Sequence, residues 1–338
     1  MYNKVIGNIK KLGFTWQTGD PFLFCVHHLD EYPEGNEQMG PAASLEGRNL
    51  GQDFTTKDGW RMYHGDKVPG FPAHPHRGFE TITLVLEGLV DHSDSHGASG
   101  RYGNGDVQWM TAGAGLQHSE MFPLVNEDKP NKLELFQIWL NLPASRKFAR
   151  PHYKMLWAED IPVYREKDIN NKETEVTLIA GKIGDMAAPD PAPDSWAADP
   201  DNEVAIWLIK IEAGGSWIIP PASPEVNRDL YFYRGSGIDI AGINIEPYNS
   251  IGLLAEQAAI IENGNEDAFL LLLQGHPISE PVAQHGPFVM NSAQEIEQAF
   301  ADYRARNFGG WPWERYDNIH KRKAGRFARY ADGKEENR

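Results

Sequence analysis

The chain is a succession of short apolar runs separated by turn residues. Phe22–Val26 is the first that reads as a buried strand, and Thr81–Leu86 follows, closed by a turn at Glu87-Gly88. Gly103-Asn104-Gly105-Asp106 then turns the chain into Val107–Met110. Leu133–Leu142 alternates apolar and polar positions and stops at Pro143, which predicts the last strand of a first β-domain over residues 1–143. Residues 144–152 read as a linker. A second series begins at Val176–Ala180 and continues through Val204–Ile211, Trp217–Pro220, Asp229–Tyr233, Gly237–Ile240, Ser250–Leu254 and Ala268–Leu273. Short strands at this spacing predict a barrel or sandwich over residues 153–291. From Ser292 the period changes: Ser292 is placed to cap a helix, Glu295 to complete a capping box, and Ile296, Phe300 and Tyr303 to form its apolar face. Residues 292–338 are thus a terminal helix and tail.

Three stretches lack this order. Residues 1–16 predict a first strand or an irregular segment. Asp30–Asp66 is rich in Gly, Asn, Glu and Asp and reads as a long excursion, either a lid or wall beside the segment that follows it or a surface insertion. Gly184–Asn202, rich in Pro and Asp, reads as an exposed loop.

The candidate chemistry lies between Gly70 and Glu120. His74 and His76 are two apart, as are His118 and Glu120, so in extended strands each pair projects to one side. Antiparallel pairing would bring the two clamps together as three imidazoles and one carboxylate. That set suits a divalent transition metal; with two octahedral positions open it favours iron(II), whereas zinc more often takes fewer ligands in a tetrahedral site.

Gly70, His74, His76, Glu80 and Gly88 resemble the first motif of the cupin superfamily. His74-Pro-His-Arg-Gly-Phe-Glu-Thr, Gln108-Trp-Met-Thr-Ala-Gly and His118-Ser-Glu-Met narrow the resemblance to the pirins. Asp20-Pro-Phe-Leu-Phe and Gly286-Pro-Phe-Val-Met-Asn extend it over roughly residues 20 to 308. The resemblance implies an all-β bicupin: a metal-binding N-terminal barrel and a C-terminal barrel without ligands, since Pro224–Tyr231 holds no His-x-His where a first motif would fall. It implies one iron(II) per chain on His74, His76, His118 and Glu120, other divalent transition metals being admissible. The activity implied is a quercetin 2,3-dioxygenase, cleaving a flavonol or a similar flat chelating aromatic with O2, with Glu120 as ligand or general base. The alternative it implies is a metal- and redox-dependent regulator of a transcription factor or metabolic enzyme.

Other polar residues carry blander expectations. His27 and His28 lie outside the clamp, Glu80 supports it, and Arg77 points away into a salt bridge. His92 and His96 read as solvated loop histidines, His276 and His285 as structural. Gln108-Trp109-Met110 reads as barrel core slightly ahead of a pocket wall for an aromatic ligand. In the tail, Trp311-Pro312-Trp313 reads as a packed anchor and His320–Lys323 as a solvated basic face. With 32 Lys and Arg against 48 Asp and Glu, the formal net charge of -16 disfavours nucleic acid and anionic membranes. One cysteine, Cys25, allows no intrachain disulfide, and the N-terminus lacks a signal-peptide pattern, so a cytoplasmic protein is expected.

Overall fold

The computed structural model describes residues 5–338, whose regular structure is mainly antiparallel β-strand, with one α-helix among them, Ala293–Arg306. The reading of residues 1–16 as a first element falls in part on Met1–Lys4, outside the described residues. Among the described residues no helix is long and apolar enough to cross a membrane.

Two compact units form, and neither is a continuous stretch of chain. One comprises residues 26–158 with 280–338, the other, among the described residues, 5–25 with 159–279. The boundaries expected from sequence therefore need correction at both ends. The first strand, Ile6–Lys11, pairs with Asn249–Leu253 in the C-terminal unit, and the tail strand Phe327–Arg329 pairs with Ser99–Gly103 in the N-terminal unit.

The C-terminal unit has a seven-stranded sheet, ordered Ile6–Lys11, Asn249–Leu253, Asn227–Arg234, Ala268–Gly275, Ala205–Ile211, Glu173–Ala180, Val163–Lys167, and a four-stranded sheet running through Ser216–Ile219, Ala259–Asn263, Ile238–Ile240 and Ile243–Ile245. Inward residues such as Trp207, Ile209, Leu230, Phe232, Ile251 and Leu272 make one apolar core. Each such side chain stabilises the fold by about 1.5–3 kcal/mol through burial.

In the N-terminal unit two sheets face each other. One is ordered His152–Leu156, Val107–Thr111, Phe79–Glu87, Asn131–Asn141, then the part of Phe22–Tyr32 from Val26 on; the other is ordered Glu335–Asn337, Phe327–Arg329, Ser99–Gly103, Leu89–Asp94, Leu116–Met121, Gly70–His76. Two expectations fail here. Asn131–Asn141 is not the last strand, because His152–Leu156, expected to end the linker and open the second domain, pairs with Val107–Thr111. Between them Lys147 is buried, its Nζ donating to the carbonyl of Gly78 (2.8 Å) and to Asn141 Oδ1 (2.7 Å). The tail is not a solvated face either. Buried Arg101 pairs with Asp91 (2.6 Å) and donates to the carbonyls of His320, Lys321 and Arg322, while Arg322 donates to Leu124 and Val125. Lys321 and Lys323 are the exposed members of the run, and Trp313, as expected, is anchored, through its Nε1 to Asp94 O (2.8 Å).

The Asp30–Asp66 excursion is a packed wall rather than a surface insertion. Trp60, Met62 and Tyr63 join the core with Tyr32, Val85, Tyr102 and Leu133. Arg61 grips Asp30 through Nε (2.9 Å) and Nη2 (3.0 Å), and Tyr63 Oη donates to the same carboxylate (2.6 Å). The helix forms as expected: Ser292 Oγ accepts from the Glu295 N–H, Glu295 reaches back to the Asn291 N–H, and Ile296, Phe300 and Tyr303 pack with Phe288 and Phe308.

Candidate metal centre

Strand Gly70–His76 lies antiparallel to Leu116–Met121, with His74 opposite His118 and a register shift between Phe71 and His74. Pairing puts opposed side chains on one face about 5 Å apart. The rings of His74, His76 and His118 lie 4.5–5.0 Å apart by their centroids, and one nitrogen from each falls within 4.8 Å of the others. The three imidazoles could hold a metal ion.

Backbone carbonyls orient two of them. His74 Nδ1 lies 2.9 Å from Pro72 O and His76 Nδ1 lies 3.3 Å from Pro287 O. A carbonyl only accepts, so each Nδ1 carries the proton and each Nε2 keeps its lone pair. His118 differs: it is fully buried, and neither ring nitrogen has a hydrogen-bonding partner among the described residues. Leaving a buried polar group unpaired costs about 1–3 kcal/mol, which a metal at one of those nitrogens offsets. The donor set therefore fits a divalent transition metal.

Burial pushes all three imidazoles toward the neutral, ligating form: His74 is lowered to about 4, and His76 and His118 well below the usual range, each helped by its histidine neighbours. The turn after His76 is fixed by Gly78. Its φ of +86° suits glycine, and a Cβ there would sit on the carbonyl oxygen of Val289.

Glu120 stands beside the triad, its Oε2 3.8 Å from His118 Nε2. It is buried in a cradle of donors: Thr83 Oγ1 (2.9 Å) and Tyr102 Oη (3.4 Å) on Oε1, Gln137 Nε2 (3.3 Å) on Oε2. Desolvation raises its carboxyl above the usual range, with the His92 charge and these hydrogen bonds opposing. Thr83, Tyr102 and Gln137 were not singled out in the sequence. Their signal is an inward polar residue interrupting an apolar alternation, as Thr83 does in Thr81–Leu86 and Gln137 does in Leu133–Leu142.

The remaining candidates sort clearly. Glu80 is buried and accepts from Thr111 Oγ1 (2.7 Å), and Arg77 pairs with Asp302 (2.7 Å) and donates to Ala114 O. His28 bonds the Tyr63 hydroxyl and His27 bonds Glu134, both away from the triad. Trp109 and Met110 are fully buried core. His96 is exposed as expected, but His92 is not a loop histidine. It lies buried in strand Leu89–Asp94, opposite Glu120 in register, 5.6 Å from the His118 ring and stacked on Tyr153. Its Asp-His-Ser-Asp setting looked solvated because this barrel interior is itself polar.

Barrel-forming antiparallel sheets with a histidine cluster between two paired strands define a protein of the cupin type. Residues 10–140 match the family model described as Pirin, and residues 206–309 that of the Pirin C-terminal cupin domain. The chain belongs to the pirin family. It is 40% identical over 243 residues to a Pseudomonas aeruginosa protein provisionally named quercetin 2,3-dioxygenase, covering 71% of this chain and 80% of that one. It is 34% identical to Homo sapiens pirin over 251 residues, covering 72% and 79%. A crystal structure titled quercetin 2,3-dioxygenase, from Acinetobacter baumannii, superimposes with a TM-score of 0.70 at 26% identity, covering 90% of this chain and 98% of that one.

Proposed function

We propose that this protein is an iron(II)-dependent dioxygenase of the pirin type, holding the metal on His74, His76, His118 and Glu120 and opening a flavonol such as quercetin with O2. One observation carries the metal: a fully buried His118 with both nitrogens unpartnered, between two histidines whose Nδ1 atoms are already committed to backbone carbonyls. The names of the relatives support the substrate class. When bound, iron(II) supplies a redox-active Lewis acid for a chelating enol and dioxygen.

The chain's own residues do the rest. Phe71 and Trp139, both half-buried, flank the histidines at 6.3 Å from the His74 ring and 5.4 Å from the His76 ring, and give a flat substrate two aromatic surfaces. Glu120 either stays a ligand or leaves the metal to accept the substrate's hydroxyl proton on Oε2, the oxygen nearer His118, while Thr83 and Tyr102 hold Oε1.

The test is anaerobic loading with iron(II), then oxygen uptake with quercetin, beside Glu120→Gln. Metal-dependent uptake with carbon monoxide release, lost in the variant, is expected. A fully iron-loaded protein that consumes no oxygen would overturn the assignment and turn attention to redox-dependent binding of a protein partner.

A further inference from the structure

Behind the triad the N-terminal barrel has an interior that its own side chains do not satisfy. Gln108 is fully buried, and neither its amide oxygen nor its amide nitrogen has a partner among the described residues. The same holds for Thr81 Oγ1, Tyr153 Oη and His92 Nδ1.

Strand register puts these groups in one place. Gln108 is directly opposite Thr83, whose hydroxyl touches Glu120, so Gln108 points into the barrel beside that cradle. Thr81 lies two residues from Thr83 on the same face and opposite Met110, which in turn is opposite Tyr153. The Tyr153 ring crosses the interior and stacks on His92 of the other sheet, 4.8 Å between centroids and 7° between planes. His92 is the register partner of Glu120. Gly100 adds an independent sign: a Cβ there would stand 2.5 Å from the Tyr153 hydroxyl, so the glycine leaves room for an oxygen that no residue then uses.

Orphaned buried polar atoms cost about 1–3 kcal/mol apiece, and native interiors almost always supply their partners. A cluster that both donates and accepts, is uncharged at Gln108, Thr81 and Tyr153, and abuts Glu120 matches a guest oxygen that carries a hydrogen. We propose that this interior is a subsite for hydroxyl oxygens, of ordered water or of the substrate, with Gln108 as its principal anchor. Gln108 is a positioning residue here, holding the guest against Thr83 and Glu120. Its place beside a working metal rests on the function proposed above, but the existence of the subsite does not.

Gln108→Leu and, separately, Tyr153→Phe test it in the metal-loaded protein. If water fills the subsite, both variants lower the thermal midpoint without substrate, by at least about 2 °C. If the substrate supplies the oxygen, the midpoint holds, and KM for quercetin rises by more than kcat falls. An unchanged or raised midpoint together with an unchanged KM overturns the proposal, because removing truly unpartnered atoms relieves the protein. Should the wild type not turn over quercetin, binding replaces KM: a fall in the midpoint or a weaker Kd for quercetin supports the subsite, and an unchanged or raised midpoint together with an unchanged Kd overturns it.

Discussion

Arg101→Met is the perturbation whose size the structure sets most directly. Arg101 is 1% exposed and binds Asp91, itself 0% exposed, through Nε (2.6 Å) and Nη2 (2.8 Å). Its remaining hydrogens hold the carbonyls of Lys321 (3.0 Å), Arg322 (3.1 Å) and His320 (3.1 Å). Methionine keeps much of the aliphatic stem but leaves Asp91 with the His320 N–H (2.8 Å) in place of a guanidinium. Breaking a buried ion pair from one side costs about 3–5 kcal/mol. The three carbonyl contacts belong to the same network, so they are contained in that figure rather than added to it. Urea unfolding followed by tryptophan fluorescence, at fixed metal concentration, should show that loss. Asp91→Leu combined with Arg101→Met removes both charges and should recover most of it. A single-variant loss below about 1 kcal/mol, or a double variant no more stable than Arg101→Met, would refute the reasoning.

Three further outcomes follow from the same structure. His118→Ala should stay folded, since it removes a buried ring with two unsatisfied nitrogens, yet lose metal in equilibrium dialysis; full metal retention would contradict the ligand assignment. The metal-free protein should weaken in acid. His28 is lowered to about 3 and His74 to about 4, so between those values and about 6.5 the unfolded chain binds more protons, and stability present above about 6.5 is lost as pH falls; equal urea midpoints at pH 7 and pH 5 would count against this. Ser292→Ala removes the acceptor for the Glu295 N–H and should cost about 1 kcal/mol by denaturant titration, and no measurable loss would show that this cap is idle.

Much of the candidate site was legible because it depends on parity within single strands. His74 with His76, and His118 with Glu120, need only a period of two to be placed on common faces. What pairing adds is invisible locally: the register shift between Phe71 and His74 is what sets His74 opposite His118. The strands of the second series from 204 onward were found for the same reason, their alternation being complete within a few residues. Ala259–Asn263 and Ile243–Ile245 escaped because each is short and half exposed. His152–Leu156 escaped because it follows an Arg-Pro pair and looks like connection. Harder still was polarity that faces inward. Asp91, His92 and Asp94 are buried among Arg101 of the next strand, Tyr153 and the tail, and the last two come from distant stretches that leave no mark beside them in the chain.

The exchange of chain ends between the two units has a consequence for biosynthesis. All four candidate ligands have been synthesised once Glu120 is made, yet the sheet that carries them is completed only by Phe327–Arg329 and Glu335–Asn337. Asp91 and Arg101 wait equally long for His320–Arg322. The C-terminal unit, by contrast, has its last strand by Gly275 and needs only the already emerged Ile6–Lys11 to close. The C-terminal unit can therefore close its seven-stranded sheet while Phe327–Arg329 and Glu335–Asn337, which complete the sheet that carries the candidate ligands, are still unmade.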